Sequence, residues 1–316
     1  MYFNDEITSV QLVLLIVGVF LMLLSVVAIL FRTIPLKRYV KRAKQNILHL
    51  EGSLPAASVI IFAHDDSNSL AEMLPQVLSQ NYTGDFEVIV VNDGKSPDVK
   101  DITEHFMLSH RNLYFTAAPD GARNLSRKKL ALTLGIKAAK SPIVVHTTSA
   151  ARVNSPQWLN NIMKHFAANP EVDVVIGFSS APPYDDNGFG ARARSFDAVA
   201  DSIGWVVPAI NGSAWRGTEH NLAYRRKAFF DNKGFSRHLN LRDGDDDIFV
   251  NEIVNRNNTI FELSPDTVVD VPGDNNSREM RERFARRRFT RRFIQNRTCF
   301  AGTIFVTPLQ LPLRVR

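Results

Sequence analysis

Apolar residues crowd the start of the chain and then settle into short, evenly spaced runs. Residues 10–31 carry no charged side chain. That run of 22 residues matches the thickness of a bilayer core at helical rise, so it predicts a membrane-spanning helix. Asp5 and Glu6 precede it, and Arg32, Lys37, Arg38, Lys41, Arg42 and Lys44 follow it. A cleavable signal would show the reverse, a basic start and a shorter apolar core. Basic residues on one flank place that flank in the cytoplasm and can hold it against anionic lipid. The expected division is an extracytoplasmic 1–9, a span at 10–31, a basic juxtamembrane linker at 32–54, one large domain at 55–297, and a segment at 298–316.

Within the large domain the pattern alternates. Residues 57–63, 86–91, 113–116 and 143–146 are short β-branched apolar runs, which read as strands buried on both faces. Between them, 70–79 and 127–139 have helical spacing; Leu70, Met73, Leu74, Val77 and Leu78 share one face of the first. Strands alternating with helices predict an α/β fold with a doubly wound, mainly parallel sheet. Ligands of such sheets bind at the carboxyl ends of the strands. Asn92-Asp93-Gly94 and the segment after His146 fall at such ends.

Composition adds limits. The chain has 316 residues, is 45% hydrophobic and carries a formal charge of +6. The single cysteine, Cys299, excludes an internal disulfide. Much of the basic excess lies in two clusters, after residue 31 and at 278–297, where nine arginines gather. Arginines interleaved with Phe284, Phe289 and Phe293 are able to bind nucleic acid. A membrane anchor and an anionic small ligand account for the charge better, so a nucleic-acid partner is set aside. The 300–313 stretch is apolar but shorter than a span and is interrupted by Pro308 and Pro312, which suggests an interfacial segment.

The most unusual stretch is 218–250. Gly244-Asp245-Asp246-Asp247 sets three adjacent carboxylates before the apolar Ile248-Phe249-Val250. Acids suit the first turn of a helix, and a capped helix start is one reading. The other is a general base presented at a helix N-terminus.

Several pieces in order resemble glycosyltransferase family 2, most closely its bacterial membrane-anchored members. They are Ser58-Val59-Ile60-Ile61, Gln80-Asn81-Tyr82, Val90-Val91-Asn92-Asp93-Gly94, Ser126-Arg127-Lys128-Lys129-Leu130-Ala131-Leu132, Asn221-Leu222-Ala223-Tyr224-Arg225, Gly234-Phe235 and Gly244-Asp245-Asp246-Asp247. The resemblance covers residues 56–295. It implies the glycosyltransferase-A (GT-A) fold, the nucleotide-diphospho-sugar transferase fold, here preceded by one transmembrane helix. It implies inverting transfer of a sugar from a nucleotide-sugar to a lipid-linked or glycan acceptor. Carried over by position, Asp246 is the expected base, with Asp245 next. Asp93, Lys128 and Lys129 are expected at the donor, and Asn221, Tyr224 and Arg225 at the acceptor.

Two positions depart from the family pattern. Where an Asp-x-Asp is usual, upstream of Trp158-Leu159, the chain has Ser149-Ala150-Ala151. Alanine offers no oxygen to a hard cation, so Mg²⁺ and Mn²⁺ are disfavoured. Arg152, next to it, is the first candidate to offset the donor's diphosphate. The usual Gln-x-x-Arg-Trp becomes Ala285-Arg286-Arg287-Arg288-Phe289, which keeps Arg288 as the second. The loop and helix at 179–200 are expected near the acceptor. Trp205 and Trp215 are available to stack on a sugar, although core packing is their ordinary fate. The alternative function is a pseudo-enzyme that binds nucleotide or glycan, or scaffolds a partner. The expected location is the inner membrane, single-pass, with the domain in the cytoplasm.

Overall fold

A computed structural model describes residues 9–45, 53–94, 97–119, 121, 124–181, 188–273 and 276–294. Helix α1 (Ser9–Gln45) is followed by β1 (Ala57–Ala63), α2 (Ser67–Leu78), β2 (Phe86–Asn92), α3 (Asp98–Met107), β3 (Leu113–Ala117), α4 (Arg127–Ala138) and β4 (Ile143–Thr148). Asp66 caps α2 by accepting from the Ser69 amide at 3.2 Å, and Ser126 caps α4 by accepting from the Lys129 amide at 3.4 Å. Strands β1–β4 are parallel, with Val59 opposite Val88 on one side and Val145 on the other.

The chain then runs through β5 (Arg152–Val153), α5 (Trp158–Ala168), β6 (Val174–Gly177), β7 (Ser179–Ser180), α6 (Phe189–Ile210), β8 (Leu222–Arg225), α7 (Arg226–Asp231), α8 (Ile248–Ile253), β9 (Thr259–Glu262), β10 (Val269–Asp270) and α9 (Ser277–Thr290). The main sheet has the order β3-β2-β1-β4-β8-β6-β9. Four of its six pairings are parallel; β8 alone runs against both of its neighbours. A small sheet, β5-β10-β7, ties the segment after β4 to the segment after β9. Apolar side chains on the two faces of the main sheet form two cores. One includes α2 and α5, and the other α4, α8 and part of α6.

The basic stretch expected as a linker is partly helix. Helix α1 continues unbroken to Gln45, and Leu36 and Tyr39 near its end pack on the second core. The Tyr39 hydroxyl donates to the carbonyl of Phe261 on edge strand β9, and the two rings are 6.5 Å apart. Among the described residues, no helix is long and apolar enough to cross a membrane. The earlier part of α1 nevertheless keeps its apolar side chains exposed, from Leu12 to Phe31, the latter at 75%. Cys299, Arg297 and the 298–316 segment lie outside the described residues.

Candidate functional site

The carboxyl ends of β1, β2 and β4 lie side by side because these strands are parallel. Asp93, just past β2, sits with Oδ1 2.5 Å from Nδ1 of His64, just past β1. Arg127 Nε donates to the Asp93 carbonyl at 2.7 Å. A Cβ on Gly94 would lie 1.9 Å from Oδ1 of Asp65, so a larger residue here has to displace that side chain. Asp93 therefore occupies the strand-end position that the sequence predicts.

The segment after β4 is packed rather than open. The Ser149 amide donates to the Phe62 carbonyl at 2.8 Å, and Ala151 is fully buried in the first core. Arg152 donates to Glu72 of α2 at 2.6 Å and to the carbonyls of Ser149 and Ala151 at 3.1 and 3.0 Å. Its guanidinium is held against α2, away from the cleft described next. Ser149 and Ala151 do not fit a divalent cation, since neither brings a carboxylate. Among the described residues no group of three or more His, Cys, Asp or Glu is placed to hold a metal ion.

A cleft of about 300 Å³ opens beside these strand ends. Its walls include Lys128, Glu219, Asp245, Asp246, Asp247 and Arg216. The local backbone explains how three acids reach it. Gly244 has φ +114°, a left-handed conformation that favours glycine, and a Cβ there would lie 2.7 Å from the Ile248 side chain. The chain turns at Gly244 and enters α8. Asp247 is the cap of that helix, accepting from the Ile248 amide at 2.6 Å. Asp245, 3% exposed, has Oδ2 2.7 Å from Lys128 Nζ, which also donates to Glu219.

These contacts set the titration of the group. Burial opposes the charge on Lys128, but Asp245, Glu219 and Asp246 outweigh it and hold the ammonium above its ordinary range. Burial also opposes the charge on Glu219, yet Lys128 and His220 keep it well below the carboxylate range. Asp246 goes the other way. Burial, then the like charges of Asp247, Asp245 and Glu219, push it well above 3.8, with Arg216 opposing in part. Burial raises Asp247 as well, against Thr290, the Ile248 amide and Arg216. Asp247 thus caps, Asp245 pairs, and Asp246 is the carboxyl pushed well above its ordinary range. The capped helix start is found at Asp247.

The cleft also has a cationic part, from α9 and the segment before β8. Arg216 lies over Trp205 and Trp215, at 5.3 and 5.8 Å, and 3.5 Å from Asp201. Arg287 Nη1 is 2.5 Å from Asp201, and Arg283 donates to Asp197 at 3.1 Å. Burial, then Arg216 and Arg283, pull Arg287 down to about 9 against the attraction of Asp201. Residues 283, 286, 287 and 290 of α9 line the cleft, a spacing of three and four that shares one helix face. Arg288 is exposed and does not line it. The arginine expected at the cleft, 288, is replaced in its lining by its neighbour Arg287, one residue and about 100° around the helix.

Three further assignments change. Asn221 is fully buried; its Oδ1 accepts from Trp158 Nε1 at 3.1 Å, and its Nδ2 donates to the carbonyls of Phe178 and Thr267 at 3.0 and 2.7 Å. Tyr224 is 3% exposed, its ring 5.5 Å from that of Phe249. Arg225 donates to the carbonyls of Val172, Phe166 and Pro170 at the far end of β8. All three hold the core together and none faces the cleft, so none reaches an acceptor there. Lys129 is also buried and faces away from the cleft. Glu219, Arg216, Arg283, Arg287 and Asp201 escaped the sequence reading. The three-four spacing of 283, 287 and 290 was a usable signal, whereas nothing in the pattern around Arg216 marks it.

A family model described as glycosyl transferase family 2 matches residues 58–233. Among solved structures, the fold is similar to the mannosyltransferase PcManGT from Pyrobaculum calidifontis, solved in complex with GDP-Man and Mn²⁺. The two are 17% identical with a TM-score of 0.54, over 90% of this chain and 85% of that one. Residues 1–349 of TarS from S. aureus give 15% identity and a TM-score of 0.50, over 80% and 81%. At these identities the likeness concerns the fold. No curated protein matches the chain.

Proposed function

The chain belongs to glycosyl transferase family 2, and from that premise we propose that it moves a sugar, with inversion, from a nucleotide-sugar to a lipid-linked or glycan acceptor. The observation that carries this reading is Asp246, a carboxyl of raised basicity in a cleft beside the strand ends. Asp246 takes the proton of the acceptor hydroxyl. The freed oxygen pair attacks the anomeric carbon from the face opposite the diphosphate. The bond from that carbon to the phosphate oxygen breaks, and the electrons leave with the nucleoside diphosphate. A raised carboxyl suits this task, because a base works best when its pKa approaches the working pH. In this reading the nucleotide lies near Asp93 and His64. Lys128, Arg216 and Arg287 are the cations within reach of developing phosphate charge, in place of Arg152 and Arg288.

We further propose that the protein sits at the inner membrane, bacterial in type, held there by the exposed apolar stretch of α1, with the large domain in the cytoplasm. The exposed apolar stretch of α1 supports this, as does the charge asymmetry across it. A reporter fused after Lys44 is expected on the cytoplasmic side; labelling from outside removes the nucleotide-sugar reading, since its donor is then absent.

The direct test is Asp246→Asn. Transfer is expected to fall by roughly 10²–10⁴-fold, the range of general-base catalysis, while donor affinity stays within about threefold. Full turnover in this variant moves the role to Asp245. Because the Asp-x-Asp positions do not fit a cation, EDTA is expected to change donor affinity by less than about twofold, and strong manganese dependence overturns that expectation. Donor binding without transfer in the native protein is the signature of the pseudo-enzyme.

A further inference from the structure

Lys129 is fully buried, although its neighbour Lys128 faces the cleft. Its ammonium donates to three carbonyls, those of His238, Leu241 and Asp243, at 2.8, 3.1 and 2.7 Å. Nδ1 of His238 is a fourth neighbour at 2.9 Å. Ser126, the cap of the same helix, adds two more bonds. Its amide donates to the Leu239 carbonyl at 2.8 Å and its hydroxyl to the Arg242 carbonyl at 3.0 Å. Five of the six carbonyls from 238 to 243 thus accept from two residues in the first turn of α4.

That concentration of bonds has a location. Residues 239–243 belong to no helix or strand, and they lead directly into Gly244 and the three acids. A loop of this kind ordinarily satisfies its carbonyls with water. Here a buried ammonium, which has three donors and no acceptor, satisfies three of them at once.

We propose that Lys129 is a positioning residue: its ammonium fixes the 238–243 loop and so sets where Asp245 and Asp246 stand in the cleft. The proposal rests on the reading of Asp246 as the base. It replaces a role for Lys129 at the donor. The charges around the ammonium agree with it. Burial, with Lys128 adding to it, pulls the ammonium down to about 8, and Asp245, Asp247 and Asp243 oppose that pull, so the group still carries its charge at neutral pH. His238 is held neutral, down to about 4, first by burial and then by Lys129 itself. Removing the ammonium takes a donor from three carbonyls; that of His238 keeps the Leu241 amide at 3.1 Å, while those of Leu241 and Asp243 need another partner. The loop then has to move to find water, and it carries the acids with it.

The test has one arm that needs no substrate. In the full chain, solubilised in detergent, Lys129→Ala is expected to raise amide hydrogen exchange in residues 244–250 by on the order of tenfold, with β1 and β2 unchanged. Millimolar propylammonium is expected to restore protection, and neutral 1-butanol, of similar size, is not. Equal rescue by the alcohol shows that only space was filled and overturns the proposal, as does unchanged exchange in 244–250. If Lys129→Ala does not fold, Ser126→Ala serves. It is expected to raise exchange in the same residues by a smaller factor, and no change there is again fatal. The second arm is transfer. Loss of kcat by about 100-fold with KM for the donor nearly constant is expected from a displaced base. A failure in transfer with the exchange result intact points at the role of Asp246; the reverse points at Lys129.

Discussion

Residues 57–148 and residues 149–294 are built from the same alternation of strand and helix, yet they treat their polar side chains differently. In the first half the polar positions stand at strand ends, where a doubly wound sheet exposes them, and Asp93 is found where its place in the pattern puts it. In the second half β8 runs against its neighbours, and a small second sheet crosses over. Polar residues there are recruited inward to satisfy irregular backbone. Asn221 and Arg225 spend their donors on carbonyls, and Lys129 of the first half spends its own on the second half's 238–243 loop. A conspicuous polar residue is thus a site candidate in the first half and a structural fastener in much of the second.

The sharpest way to break this contrast is Asn221→Ala. Three partners lose their bond in the core: Trp158 Nε1 and the carbonyls of Phe178 and Thr267. Each buried group left unsatisfied costs about 1–3 kcal/mol, so the variant is expected to lose roughly 3 kcal/mol or more in denaturant titration. The acceptor KM of the folded fraction is expected to stay within about twofold. Unchanged stability with a raised KM returns Asn221 to the acceptor and erases the contrast.

A smaller effect separates two adjacent arginines. Arg287→Ala removes a charge-assisted contact to Asp201 at 2.5 Å on the cleft wall. It is expected to weaken donor binding by about 2 kcal/mol, the scale of bonds to charged groups. Arg288→Ala, on the exposed face, is expected to change it by less than about 0.5 kcal/mol. Calorimetry on both variants decides the phase of α9. The reverse order restores Arg288 to the site.

How much was legible follows the same division. Strands β1, β2 and β4 were readable because burial on both faces leaves apolar runs, and β1 begins and ends at the expected residues, 57 and 63. The acidic run was readable as a site because adjacent like charges need compensation. The partner that supplies it, Lys128, was readable only as a basic residue near the donor; that it reaches Asp245 is a fact of tertiary packing. Arg216 sits between two tryptophans, ten residues apart in sequence, and no local spacing announces such a contact. Within α9, the family pattern pointed to Arg288 while helix geometry favoured Arg287. The inward spacing of residues 283, 287 and 290 was the better guide.

The finest distinction lies inside the acidic run, and stability against pH can draw it. Asp246 titrates well above 3.8 in the folded chain, chiefly through burial and then through Asp247, Asp245 and Glu219. The fold therefore favours its protonated form. The stability that this preference contributes is fully present below pH 3.8 and is lost as pH rises through the raised folded value. At neutral pH the unfolded side chain carries its charge and the fold opposes that charge, so Asp246 is a cost to the fold. Asp246→Asn removes that charge at similar size, so its melting temperature is expected to exceed that of the native chain at pH 7. The advantage is expected to shrink as pH falls and to vanish near pH 3.8, where the native side chain is itself neutral. Each kcal/mol gained appears as about 2–4 °C in a domain of this size, within reach of a thermal melt. Asp247→Asn provides the contrast, because Asp247 caps α8 and accepts from the Ile248 amide at 2.6 Å. Its amide is a weaker acceptor there, so relief of repulsion is offset by a weaker cap. A gain at Asp246 larger than at Asp247 marks Asp246 as the residue held at a cost to stability, as expected of a base; equal gains dissolve the distinction between them.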